Sequence, residues 1–115
     1  MKLRLFVLLV LLLNLACGQI DSKPITEITQ EEISKVILLD VRTPQEFAQG
    51  HINGAINIDW FSDDFNAQVA EIDKDETIYV YCKKGGRSLK SQIRLKELGF
   101  LHVINLEGGY DQYVK

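Results

Sequence analysis

The sequence predicts an α/β fold, with a mostly parallel central sheet covered by helices on both faces. Three observations carry that prediction. Short apolar runs rich in β-branched residues alternate with segments of helical period along the chain. Val36 to Val41 is apolar except for Asp40, as expected of a strand covered on both faces. Thr77 to Leu98 reads as a strand, a tight glycine-containing loop and a helix, the junction that parallel sheets repeat. The 115 residues suffice for one small domain with a single core once a leader is set aside.

Residues 1–17 are read as that leader. Lys2 and Arg4 form a short positive region and Leu5 to Leu13 an unbroken apolar run, far shorter than the ~20 residues of a membrane span. This is the pattern of an export signal. Its end, Asn14-Leu15-Ala16-Cys17, looks like the site at which bacterial lipoprotein signals are cleaved and acylated, although Asn14 stands where leucine is usual. Ordinary cleavage nearby is the alternative. The expectation is an exported, periplasmic or cell-envelope protein held to its membrane by a lipid on Cys17. Residues 18–24 are read as a polar linker of at most ~25 Å, and residues 25–115 as the domain.

Within the domain, Pro24 to Ile28 suits a short edge strand, and Thr29-Gln30-Glu31-Glu32 is a capping box opening a helix. The strand Val36 to Val41 follows. Thr43-Pro44-Gln45-Glu46 is a second capping box with proline at the first helical position, and its helix ends by Gly50. Ala55 to Ile58 is the next strand, and Ser62 to Glu71 a helix with Phe65 and Val69 on one face. Thr77 to Tyr81 feeds the loop; Ser88 to Leu98 is a helix with Leu89 and Ile93 four apart, stopped by Gly99. His102 to Leu106 is the last strand, before Gly108-Gly109 and a brief terminal helix.

Charge narrows the partners. Loss of the leader would remove Lys2 and Arg4 and lower the formal net charge of −3 by two. Such a chain has no general affinity for nucleic acid. Lys83 to Lys96 nevertheless holds six basic residues and no acid. Lys90, Arg94 and Lys96 read as a solvated helix face, whereas Lys83 and Lys84 stand where they could steer a small anion.

The loop that follows Tyr81 carries the chemical signal. Cys82 ends the strand and is followed by Lys83, Lys84, Gly85, Gly86, Arg87 and Ser88. A loop closing onto a helix start turns backbone N–H groups inward, and the helix dipole adds partial positive charge at the same place. Gly85 and Gly86 are expected to supply positive φ values and close approach to the sulfur. Positive surroundings of this kind favour a thiolate. A cysteine ending a buried strand is commonly an inert small hydrophobe, but lysines, glycines and an arginine are poor core neighbours. Cys82 is therefore the candidate nucleophile. The chain has one other cysteine, Cys17. If Cys17 is acylated, Cys82 has no intramolecular partner; a Cys17–Cys82 disulfide is the opposing reading. The two histidines are scattered and, with one available cysteine, lack metal-ligand spacing, so no metal is expected.

YCKKGGRS resembles the active-site loop of rhodanese-like sulfurtransferases. LLDVRTPQEFAQGHINGAINI, from Leu38 to Ile58, is similar to the family's N-terminal signature, and NLEGGYDQYV to its C-terminal one, although Tyr113 replaces the common tryptophan. The likeness covers Ile25 to Val114. It implies a rhodanese-like three-layer sandwich, with Asp40 and Arg42 supporting the active loop and His51 bracing a turn.

The resemblance and the loop together imply a sulfurtransferase. Cys82 would take sulfane sulfur from a small anionic donor such as thiosulfate, hold it as a persulfide and pass it to a thiol or cyanide. Lys83, Lys84 and Arg87 would bind the leaving sulfite. No cofactor is required, and a monomer is expected. A cysteine phosphatase or arsenate reductase is the rival enzyme, but phosphatases of related fold place five residues between cysteine and arginine, and this chain has four. A noncatalytic sulfur carrier or binding module is the rival of another class.

Overall fold

The computed structural model describes residues 21–115; the leader and Cys17 lie outside the described residues. Five strands form one sheet, parallel throughout: β1 (Ser22–Pro24), β2 (Ile37–Asp40), β3 (Ile56–Asn57), β4 (Thr77–Tyr81) and β5 (His102–Glu107), in the order β1-β5-β4-β2-β3. The helices are α1 (Gln30–Ile33), α2 (Pro44–Gln49), α3 (Phe65–Val69), α4 (Gly86–Glu97) and α5 (Gly109–Tyr113).

Alternation along the strands divides the core into two layers. Leu39, Val41, Ile78, Val80, Cys82 and Val103 face Phe65 and Val69 of α3 and Leu95 of α4. Leu38, Tyr79, Tyr81 and Leu106 face the other way, onto Ile25, Ile33 and Ile52, with Tyr110 of α5 packed alongside. The result is the α/β/α sandwich that the apolar runs predict.

Several boundaries differ from the sequence reading. Ser22–Pro24, read as linker, pairs with β5 as β1, and Ile25–Glu27 is a 3-10 turn instead of a strand. Pro24 has no N–H to extend the ladder, and the turn carries Ile25 into the core at 1% exposure. Thr29 caps α1 by accepting from Glu32 N at 3.2 Å. The reciprocal arm is missing because the Glu32 carboxylate accepts from Lys23 and from the Tyr79 hydroxyl instead. The second box is complete, with Thr43 and Glu46 each bonded to the other's backbone N–H. The third helix starts at Phe65 because Ser62–Asp64 forms a turn, with Phe65 N donating to Ser62 O. Helix α4 starts at Gly86, two residues before Ser88, and buries Ser88, Ser91, Gln92 and Leu95; Leu89 and Ile93 are 40% and 47% exposed.

The strand order reverses between β4 and β2. From β4 the chain crosses to β5, and from β2 it crosses to β3 on the opposite side. At such a switch point the connections diverge and leave a crevice beyond the C-terminal strand ends. Asp40 pairs with Tyr81 in register and Val41 N donates to Tyr81 O at 3.0 Å, so Arg42 and Cys82 leave the sheet side by side at that crevice.

Candidate active site

Cys82 sits at the floor of the loop between β4 and α4, 1% exposed. Gly85 N–H donates to its Sγ at 3.0 Å, and Ser88 Oγ lies 3.5 Å from the sulfur while donating to Gly85 O at 3.1 Å. Gly85 can aim its N–H inward because its φ is +118°, a conformation open to a residue without Cβ. Gly86 does not share it: it is the first residue of α4, with no positive φ. Of the two glycines expected to wrap the sulfur, only Gly85 uses left-handed backbone.

The loop's outer peptides are held from behind by α5. Tyr110 N donates to Cys82 O at 2.8 Å, and Asp111 N donates to Lys83 O at 3.1 Å. With those carbonyls engaged on the far side, the loop can present N–H rather than C=O groups to the sulfur. Gly109 makes the contact possible, since a Cβ built there would lie 2.3 Å from Lys83 O. The Gly108-Gly109-Tyr110 sequence thus supports the site from a distance of many residues.

The three cations expected to receive an anion divide. Arg87 is paired with Glu46 of α2 through two bonds, at 2.7 and 3.1 Å. The Arg87 guanidinium, opposed by partial burial, holds the Glu46 carboxyl at about 2 against an ordinary 4.5. Lys83 is paired with Asp111 at 2.9 Å, and the lysine holds that carboxyl below its ordinary value. Lys84 is exposed and makes no ion pair among the described residues. Lys84 and backbone N–H groups, with Arg87 held at the rim, are the positive features an approaching anion meets.

Asp40 and Arg42 form a buried pair beside the loop. Arg42 Nε donates to both Asp40 oxygens at 3.1 Å, Nη2 donates to Oδ2 at 2.7 Å, and the same nitrogen donates to Gly50 O at 2.7 Å. The guanidinium also lies 4.3 Å from the Tyr110 ring centroid. The pair therefore ties β2, the end of α2 and α5 together. Between them opens a cleft of about 260 Å³ lined by Arg42, Glu46, Gly50, Lys83, Tyr110 and Asp111. Asn57 Nδ2 donates to Asp40 O and Arg42 O and so fixes the backbone that carries the pair. His51 stacks on Phe47, centroids 3.6 Å apart, with Nδ1 2.9 Å from Phe47 O, contacts that brace the end of α2.

Four residues of the site were not singled out in the sequence: Glu46, Gly109, Tyr110 and Asp111. Glu46 was visible as the third helical residue of a capping box, and the same carboxylate serves both Thr43 and Arg87. Nothing local in the sequence joins it to a residue 41 positions later. The other three lie in the stretch similar to the family's C-terminal signature, whose reason is the peptide contact just described.

Comparison with known proteins agrees with this architecture. A family model described as "Rhodanese-like domain" matches residues 26–115. The chain is 40% identical to "Thiosulfate sulfurtransferase 16, chloroplastic" of Arabidopsis thaliana over 67% of its own length and 72% of that protein. It is 35% identical to "Sulfurtransferase" of Allochromatium vinosum over 80% and 83% of the two chains. The crystal structure of SSP1007 from Staphylococcus saprophyticus superposes with a TM-score of 0.71 at 35% identity, covering 82% of this chain and 93% of the other.

Proposed function

The chain belongs to the rhodanese-like domain family, and on that premise we propose that it is a sulfurtransferase that carries sulfane sulfur as a persulfide on Cys82. The observation that carries the reading is the Gly85 N–H donating to Sγ at 3.0 Å from a loop whose outer carbonyls are occupied by α5. A preorganised donor at that position stabilises negative charge on sulfur without reorganisation.

The first half-reaction begins with the Cys82 thiolate attacking the outer sulfur of thiosulfate. A new S–S bond forms, the donor's S–S bond breaks with its electron pair on the departing group, and sulfite leaves. Cys82 then bears a terminal sulfur anion, for which the loop's backbone N–H groups are the stabilising partners. In the second half-reaction cyanide or a thiolate attacks that terminal sulfur. The Cys82 S–S bond breaks, thiocyanate or an acceptor persulfide departs, and the Cys82 thiolate is restored. The net change is transfer of one neutral sulfur atom, so no external oxidant or reductant is consumed.

The four-residue spacing from Cys82 to Arg87 gives a ring suited to one sulfur atom and argues against a phosphatase. Lys84 steers the anionic donor, and Arg87 shapes the mouth from its pair with Glu46. The chain acts as a monomer, exported and tethered through Cys17 in the cell envelope; metabolic labelling with a fatty acid, lost in Cys17→Ala, tests the tether.

The reaction is tested by thiosulfate-to-cyanide transfer with the purified chain, and by its intact mass after thiosulfate alone. Turnover together with a cyanide-removable gain of one sulfur atom, both absent in Cys82→Ser, is the expected result. A persulfide that forms without turnover would instead make the chain a sulfur carrier. Absence of both in reduced protein would remove the catalytic reading.

A further inference from the structure

The outward face of α4 is built against the ordinary rules for a solvated helix. Leu89 and Ile93 are 40% and 47% exposed and lie four residues apart, so they form one apolar stripe. Beside it, Arg87, Lys90 and Arg94 stack three and then four residues apart as a basic ridge. On the ridge's other side, Phe61 is 67% exposed, its ring centroid 5.6 Å from Arg87 Cζ. Trp60, Phe61 and Arg94 share a surface cleft of about 290 Å³.

Apart from Arg87, which Glu46 holds, the cations on and beside this face lack internal partners. Lys84, Lys90, Arg94 and Lys96 make no ion pair among the described residues. Glu46 is bonded to Arg87, Asp63 lines the Arg94 cleft and Glu97 stands on the last turn of α4. The first turn of α4 contains no acid of its own; Glu46 from α2 compensates Arg87 at the helix start, which leaves Lys90 and Arg94 as the uncompensated cations of the ridge. This concentration occurs on a chain whose formal net charge is −3. A helix stabilised for its own sake would carry acids near its start and polar residues where Leu89 and Ile93 stand.

We propose that this face docks the sulfur-accepting partner: a protein that presents its thiol within an acidic segment bearing large apolar side chains. The inference rests on the sulfur-transfer reading of Cys82 and supplies that site with its acceptor class. Position supports it, because Arg87 belongs both to the loop and to the ridge, and Leu89 follows two residues later. A segment lying on the ridge reaches the mouth above Cys82. Charge complementarity supports it as well, since unpaired cations on an otherwise acidic chain select an acidic partner and steer its approach. Apolar groups on both sides of the ridge suit a folded or peptide partner, in which aromatic and arginine contacts interleave. A membrane-surface helix segregates its apolar face from its cations, whereas here the cations run between Phe61 and the Leu89–Ile93 stripe.

The test compares three acceptors with the full chain and thiosulfate as donor: a short synthetic peptide holding one cysteine among glutamates and leucines, its glutamine counterpart, and 2-mercaptoethanol. Two double variants accompany it, Lys90→Glu with Arg94→Glu and Leu89→Ser with Ile93→Ser. The acidic peptide is expected to show a KM about tenfold below its glutamine counterpart at low salt. That advantage should vanish in the charge-reversed variant and shrink in the serine variant, with thiosulfate-to-cyanide turnover unchanged in both. Equal KM for the two peptides, or insensitivity to both variants, overturns the proposal. Sedimentation with phosphatidylglycerol vesicles that depends on Lys90 and Arg94, without peptide discrimination, also overturns it and assigns the face to lipid. If the wild type lacks turnover, the catalytic reading fails separately. Fluorescence anisotropy of the labelled acidic peptide against its counterpart then decides the docking surface alone.

Discussion

Replacing Gly109 by alanine should damage the sulfur site without touching it. The new Cβ would lie 2.3 Å from Lys83 O, 2.5 Å from Lys83 C and 2.7 Å from Lys84 N, all of them backbone atoms that no side-chain rotation can move aside. Ordinary contact needs a separation of about 3.5 Å, so α5 and the loop must part by roughly 1 Å. The residue's φ of +69° adds about 1 kcal/mol for a residue with Cβ, offset by about 0.4–1 kcal/mol from the less flexible unfolded chain. The steric term therefore decides. Parting by that amount weakens or breaks Tyr110 N to Cys82 O and Asp111 N to Lys83 O, about 1 kcal/mol each, and overpacking costs about 1–3 kcal/mol more. A total of about 3–5 kcal/mol is expected. Urea unfolding of Gly109→Ala would measure it, alongside Gly86→Ala, where a Cβ meets nothing within 4 Å and φ is not left-handed. Transfer activity in native conditions should fall about tenfold in the first and stay near wild type in the second. Stability and activity of Gly109→Ala both within error of wild type would refute the idea that α5 holds the loop carbonyls in place.

Three further outcomes follow from the same geometry. Cys82→Ser should abolish sulfur transfer and the mass gain while leaving the urea midpoint close to wild type, because the hydroxyl fills nearly the same buried space; a fully active serine variant would end the mechanism. Asp40→Asn removes the charge facing Arg42, which is only 4% exposed, and should cost about 3–5 kcal/mol by leaving a buried cation unpaired; an unchanged urea midpoint would contradict that account. Glu46 gives a pH signature. Its folded value of about 2 lies below the ordinary 4.5, so its contribution is fully present above about pH 4.5 and is lost as pH falls toward 2. The difference amounts to about 3 kcal/mol at most. Stability of the wild type should drop over that window more than that of Glu46→Gln, and parallel curves would show that the Arg87 pair contributes nothing.

Much of this protein follows from local rules that act within a few residues. The capping box at Thr43, the proline after it and the β-branched runs specify their own elements, because the groups they satisfy are neighbours in the chain. Cys82 with Lys83, Lys84, the two glycines and Arg87 stands out as a candidate anion-binding loop for the same reason. The alternation of strands and helices then suffices for a parallel sheet, and the sheet for placing that loop at a C-terminal strand end. Local rules do not say which side of α4 is buried: Leu89 and Ile93 have helical spacing but face solvent, and Ser88, Ser91 and Gln92 are buried. Burial there is decided by which side of the helix meets β5: Gln92 donates to Val103 O and to Asp21 O, bonds that hold the polar side inward.

The tertiary structure alone decided which charges were already taken. Arg87 and Lys83 look equally available in the sequence, yet Glu46 and Asp111 reach them from 41 and 28 residues away. Gly109 likewise shows its role only when α5 packs on the 83–84 peptide. Such pairings depend on chain folding over distances at which sequence neighbours carry no information. The sequence by itself determined the candidate nucleophile and the glycine-containing loop around it, because those groups are neighbours in the chain; folding buried that sulfur at 1% exposure and decided which cations beside it are already paired, because their acids come from distant elements.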